Sequence, residues 1–200
     1  MSNWDYARET PTERWRSSMS IPRKLALYKS ENKIMLRNYP IATFQSLRSG
    51  TKVYKLHSDS TYLIPFADSL GTELIFNAPL NKPLACTIFN ETGNGVVFQL
   101  FPDEKSMVFD HQDSGNTSFS DKFANAPQTQ PYIPQDKIVE FRFFIDASSI
   151  EIFIDKGKYT FTNQVFPEEP FSKINFKLSD QGSGTSLKIN AIKSIWDVKK

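Results

Sequence analysis

This 200-residue sequence has a single cysteine, Cys86. No disulfide can therefore close within the chain, and no metal site can be built on several thiolates. It has two histidines, His57 and His111. Neither has Asp, Cys or Ser arranged around it in a metal-ligating or triad spacing, so packing or surface roles are expected and no metal site is. Charge of one sign is scarce: 24 Lys and Arg stand against 22 Asp and Glu, a net +2. That balance carries no electrostatic footprint for nucleic acid or for an anionic membrane surface. No stretch approaches the roughly 20 apolar residues of a membrane-crossing helix. The opening Met1-Ser2-Asn3-Trp4-Asp5 lacks the apolar core of a signal peptide, and the compartment stays open between secreted, periplasmic and cytoplasmic. Gly93-Asn94-Gly95 has no following Lys and helix, so it is not a phosphate loop, and no cofactor is implied. Two glycosylation sequons, Asn90-Glu91-Thr92 and Asn116-Thr117-Ser118, are read as chance matches, since no secretion signal accompanies them.

No good amphipathic helix of normal length is present either. What recurs is the two-residue alternation of half-buried strands. Val139, Phe141, Phe143 and Ile145 alternate with Glu140, Arg142 and Phe144. Ile150, Ile152 and Ile154 alternate with Glu151 and Phe153. Ile174, Phe176 and Leu178 form a third run, and Leu187, Ile189 and Ala191 a fourth. Similar patterns cover Lys52 to Leu56, Thr61 to Phe66, Glu73 to Asn77, Ala85 to Asn90 and Val96 to Phe101. Turn chemistry separates them: Asp155-Lys156-Gly157 predicts a hairpin, Gly93-Asn94-Gly95 precedes a strand, and Asp180-Gln181-Gly182-Ser183-Gly184 divides the last two strands. Many short strands with frequent turns predict an all-β fold, a sandwich or a closed barrel. Phe144 and Phe153 put apolar groups on the second face of their strands, which predicts something packed outside the sheet.

Two segments have a different texture. Residues 112–136 are polar and rich in Ser, Asn, Gln and Pro, and are read as a long connection. Residues 1–45 hold Trp4 and Trp15, five Arg and clustered Thr and Pro. Turn residues around Tyr39-Pro40 and Ser49-Gly50 place a boundary between them and the rest.

The first segment is also the most specific. Ser2-Asn3-Trp4-Asp5-Tyr6 after Met1, Thr10-Pro11-Thr12, Trp15-Arg16-Ser17-Ser18-Met19-Ser20 and Pro22-Arg23-Lys24-Leu25 follow in order. This series resembles the last propeller blade of glycoside hydrolase family 32, the invertases, levanases and inulinases. Gly115-Asn116-Thr117 with Phe119 and Phe123 is similar to the family's S-G-N segment. Asp146, Ser148, Glu151 and Phe153 are similar to its D-x-S-x-x-E-x-F strand, and Gly157 with Val165-Phe166-Pro167 to the hairpin that follows. The resemblance implies a β-sandwich of two antiparallel sheets, jelly-roll or concanavalin-like, in residues 46–200. It implies that residues 1–45 are the last strands of a five-bladed β-propeller.

The family's chemistry is that of retaining glycosidases, in which one carboxylate attacks the anomeric carbon and a second protonates the leaving oxygen. The family's nucleophile lies in an N-D-P-N-G motif, its stabiliser in R-D-P and its acid/base in E-C. This sequence contains no Asn-Asp-Pro and no Arg-Asp-Pro, and Ala85 precedes Cys86. The resemblance therefore places no catalytic residue in this chain, and the chain alone is expected to be inactive. One substrate-binding residue is implied, for the intact enzyme only: Trp4, whose indole would stack on the terminal fructose. The remaining conspicuous residues are read as structural: Trp15 and Arg16 pack and pair within the blade, and Arg23 fixes it to a neighbour. Asp146, Glu151 and Asp155 cap strand ends and a turn. The implied partners are fructan or sucrose, reached through the missing propeller, the propeller itself, and a second copy in a homodimer. The alternative is a free-standing carbohydrate-binding sandwich module.

Overall fold

A computed structural model describes residues 2–30, 32–64, 71–179 and 185–194. Strands dominate, as the alternation requires. After an irregular opening, β1 (Arg23–Ser30) and β2 (Lys33–Pro40) form a hairpin, and a 3-10 helix (Ala42–Leu47) leads into β3 (Arg48–Lys55). Then come β4 (Thr61–Leu63), β5 (Gly71–Pro79), β6 (Leu84–Phe89), β7 (Gly95–Phe101) and β8 (Ser106–Asp110). The order closes with β9 (Gln128–Pro131), β10 (Ile138–Asp146), β11 (Ser149–Ile154), β12 (Tyr159–Gln164), β13 (Lys173–Leu178) and β14 (Ser186–Ile192).

The strands form two six-stranded sheets, ordered β12-β11-β10-β5-β14-β3 and β4-β13-β6-β7-β8-β9. Their paired strands are antiparallel throughout. The fold is thus a β-sandwich and not a barrel, which settles the choice that strand patterns alone left open. Side chains alternate across each strand, so one set from each sheet meets between them. Phe76, Phe141 and Phe143 from the first sheet meet Phe98 and Phe176 from the second, with Phe76 and Phe176 rings 5.0 Å apart and Phe98 and Phe143 rings 5.7 Å apart. Cys86 is fully buried in this core, and burial pushes its thiol well above the usual range, so it behaves as a small apolar residue.

The polar stretch read as a connection contains one short strand, β9, paired to β8. Its Gln-Thr-Gln-Pro sequence has no apolar alternation, because an edge strand contributes backbone bonds and little core. The expected strand from Thr61 to Phe66 is described only as far as Ile64, and β4 ends at Leu63. The turn expected over Asp180–Gly184 lies outside the described residues.

Two glycines explain how distant loops close. Asp155, Lys156 and Gly157 all have positive φ in the loop joining β11 to β12. A Cβ on Gly157 would overlap the Asn38 carbonyl, and the Asn38 amide donates to the Gly157 carbonyl at 3.0 Å. The hairpin loop therefore docks backbone to backbone on β2. Gly115, at φ 120, sits equally close to the Phe166 carbonyl, which accepts from the Asn116 amide at 2.8 Å. The spacing of Ser114-Gly115-Asn116 and Val165-Phe166-Pro167 is the sequence trace of that contact.

Candidate functional site

The face of the first sheet turned away from the core carries the unusual chemistry. Strand register lays its residues in rows. One row runs Thr160, Phe153, Arg142, Ile75, Lys188, Val53; the next runs Thr162, Glu151, Phe144, Glu73, Asn190, Thr51. Glu73 is fully buried and is bound from three sides. Arg48 donates to it from Nε at 2.5 Å and from Nη2 at 3.0 Å. Asn190 donates at 2.7 Å, and the buried Arg142 donates through Nε. A carboxylate in this position is tolerable only because its charge is matched and its lone pairs are filled. The same contact raises the pKa of the Arg48 guanidinium.

The opening segment covers half of this face. Arg23 pairs with Glu151 and donates to Thr162 at 2.6 Å, while the Ile21 amide donates to Glu151 at 2.8 Å. Burial pushes the Glu151 carboxyl upward, opposed by the Ile21 amide and by Arg23. Tyr39 meets Phe153 edge-on at 6.1 Å, and Phe44 meets Phe144 at 5.0 Å. The Tyr39 hydroxyl donates to Glu140, and burial with that carboxylate holds its pKa up to about 12. This is the outer packing that Phe144 and Phe153 implied. Glu151 corrects one expectation in detail: it lies inside β11 rather than at a strand end. Asp155 does occupy the turn, held by Lys158 at 2.5 Å and Lys137 at 3.5 Å.

The loop before β1 is tied down at several points. Ser2 donates to Gln164 at 2.5 Å. Tyr6 lies edge-on to Phe123 at 5.1 Å, and Trp15 stacks with Phe166 at 6.5 Å. Arg16 donates to the Thr10 carbonyl at 3.3 Å. Trp15 thus packs against the sandwich, whereas Arg16 stays within its own loop. Trp4 is held out of all this, 89% exposed. His111 is buried beside Phe109 and Phe123, and burial lowers its pKa. Asn90 of the first sequon is buried, accepting from the Asn94 amide at 2.9 Å and donating to the Glu169 carbonyl at 2.7 Å; it organises a turn. Among the described residues no group of three or more His, Cys, Asp and Glu is placed to hold a metal, and no helix is long and apolar enough to cross a membrane.

Sequence reasoning did not single out Glu73, Arg48 or Arg142. The available signal was a pair of opposite charges set in apolar strands, Glu73 between Thr72 and Leu74 and Arg142 between Phe141 and Phe143. Such placement implies that the charges meet.

Comparison with known proteins places this architecture. The sequence is 28% identical over 205 residues to a levanase of Bacillus subtilis (strain 168), covering 98% of this chain and 30% of the levanase. It is 29% identical over 209 residues to an extracellular exo-inulinase of Aspergillus niger, covering 98% of this chain and 38% of that protein. The chain therefore spans about a third of the length of these relatives. Its fold superposes on the crystal structure of exo-inulinase from Aspergillus awamori with a TM-score of 0.81 at 23% identity, covering 98% of this chain and 40% of that one. It also superposes on fructofuranosidase from Schwanniomyces occidentalis complexed with fructose, with a TM-score of 0.72 at 19% identity, covering 96% of this chain and 44% of that one. The sequence model described as glycosyl hydrolases family 32 C terminal matches residues 58–194. By that match, and by the two-sheet sandwich the matched residues build, this chain belongs to glycosyl hydrolase family 32 and carries its C-terminal domain.

Proposed function

We propose that this chain is the C-terminal part of a retaining β-fructoside hydrolase and has no turnover by itself. In this reading residues 1–45 are the closing strands of the last propeller blade, and residues 46–200 are a sandwich that supports the catalytic propeller. The observation that carries it is the β1–β2 hairpin. It is fixed to the sandwich through Arg23, Asn38 and Tyr39. One face, which pairs Leu27 with Leu36, is left with Leu25 62%, Leu27 70%, Ile34 73% and Leu36 53% exposed. A row of branched apolar residues on a two-stranded ribbon is a surface shaped for further strands. The levanase and exo-inulinase relatives, each far longer than the matched stretch, support a propeller as that neighbour.

Trp4 then becomes one wall of the fructose pocket. Its loop is anchored through Ser2, Tyr6 and Trp15, while its own ring projects into solvent, as a stacking platform must. Among the described residues, the buried carboxylates Glu73, Glu151 and Asp155 are occupied in structural pairs, the two glutamates with arginines and Asp155 with lysines. A free-standing module with an aromatic sugar platform is less well supported. Among the described residues the large exposed aromatics are Trp4 and Trp15, and the phenylalanines fill the core.

Reducing-sugar assays of the purified chain with sucrose, inulin and levan test the reading. No release is expected, and joining the missing propeller portion of the same gene should restore it. Turnover by the chain alone, abolished by replacing one of its own carboxylates, would overturn the proposal.

A further inference from the structure

Trp4 stands ahead of every strand, since β1 begins only at Arg23. Its placement therefore rests on side-chain anchors and not on a ladder. The turn that carries it is organised on Tyr6, whose amide donates to the Asn3 carbonyl at 3.3 Å and whose carbonyl accepts from the Glu9 amide at 2.9 Å. The indole projects outward. The Tyr6 ring lies against the sandwich instead, edge-on to Phe123 at 5.1 Å and to Phe119 at 6.3 Å.

Both phenylalanines belong to residues 111–127, which join β8 to β9. Connections in compact domains usually run about 4–6 residues, and much longer ones without strands or helices of their own are commonly functional. Phe119 and Phe123 are the only large apolar side chains in this polar stretch. Phe123 is buried and braced from behind: His111 lies edge-on to it at 5.4 Å, with Phe119 and Phe166 at 4.7 and 5.5 Å. Its amide donates to the Ser120 carbonyl at 3.0 Å, and Ala124 beside it takes a φ of 49. A non-glycine residue in the left-handed region is strained, and such strain gathers where a geometry serves function. Capping the end of the sandwich would need only the contacts to His111 and Phe166. The contact to Tyr6 serves the opening segment, two residues from Trp4.

We infer that Phe123 is a positioning residue for Trp4: through Tyr6 it fixes the turn that presents the indole, so that a loop of the sandwich sets one wall of the sugar pocket. This rests on Trp4 being such a wall, and the test separates the two. In the 15N-labelled chain, amide order parameters of residues 3–9 should lie at about 0.85, the value of rigid backbone. Tyr6 lies outside the inter-sheet core, so Tyr6→Ala should leave the strands unchanged while lowering those values below about 0.6. Phe123→Leu, which stays apolar but loses the ring, should lower them in part, and Tyr6→Phe should retain the order. In the enzyme restored by joining the propeller portion, Tyr6→Ala should lower kcat/KM by about tenfold or more. In a Trp4→Ala background it should lower it no further, whereas a tyrosine that only stabilises the fold would act alike in both. Unchanged order in Tyr6→Ala and Phe123→Leu, or equal kinetic losses in the two backgrounds, would overturn the proposal. Lost order together with normal kinetics of Trp4→Ala would overturn the sugar-pocket reading of Trp4 and uphold the contact as what orders the turn.

Discussion

At the scale of single residues, the most consequential are those whose environment leaves no freedom. Gly157 is one. Its positive φ already costs a side chain about 1–3 kcal/mol, and the Asn38 backbone occupies the space a Cβ needs. Gly157→Ala should destabilise the protein by at least that amount in urea unfolding, whereas Gly93→Ala, with open space around it, should cost only the conformational part. His111 gives a pH signature. Its folded pKa is lowered from 6.5 by burial, against the backbone contact at Gln164 and the Asp110 charge. Below pH 6.5 the unfolded chain binds a proton that the folded chain resists. Stability should therefore be full above pH 6.5 and fall as acid approaches the lower folded pKa. Thermal unfolding between pH 7.5 and 5 should show this loss, and His111→Gln should reduce its slope; an unchanged slope would show that other groups carry it.

Structural elements show why the strands were legible in the sequence and the charge network was not. β10 and β11 announce themselves through the two-residue period of Phe141, Phe143 and Ile145 and of Ile150, Ile152 and Ile154, because each strand's inner face is chosen by one local rule. The extra Phe144 and Phe153 even announced a cover. The identity of that cover was not legible, because no local rule says that Tyr39 and Phe44 fold back across about a hundred residues of chain. Glu73 fails for the same reason. Its partners Arg48, Arg142 and Asn190 come from β3, β10 and β14, and only sheet order brings them together. β9 escaped because an edge strand needs no apolar face. The central position of Glu73 makes a prediction for the whole sheet. Glu73→Ala leaves two guanidinium groups, one buried, without their shared carboxylate, and should cost about 3–5 kcal/mol. The double change Glu73→Leu with Arg142→Met should recover much of that loss. Chemical denaturation of the three proteins distinguishes an essential pair from a merely tolerated one.

For the whole molecule, the question is to which body the opening segment belongs thermodynamically. Its hairpin makes no strand ladder with either six-stranded sheet, yet the segment covers Phe153 through Tyr39 and Phe144 through Phe44, satisfies Glu151 and seats Tyr39 over Arg142. Removing residues 1–41 would keep the inter-sheet core, whose members all lie beyond residue 55, and would expose the part of the outer face around Phe153 and Glu151. Phe44 stays on Phe144, but Phe153 loses Tyr39; uncovering that one phenylalanine costs about 1.5–3 kcal/mol at ordinary burial values, and Glu151 loses both Arg23 and the Ile21 amide. The shortened protein should thus retain the far-ultraviolet signature of a β-sandwich, unfold at a distinctly lower temperature and bind a hydrophobic dye that the 200-residue chain binds less. The exposed face of the hairpin, with Leu25, Leu27, Ile34 and Leu36, is removed in the same cut, so a dye response that fell instead of rising would mean that the hairpin's outer row dominates the apolar surface. Equal thermal stability of the two proteins would mean that the hairpin only rests on the sandwich, and that its binding energy is reserved for strands on its other side.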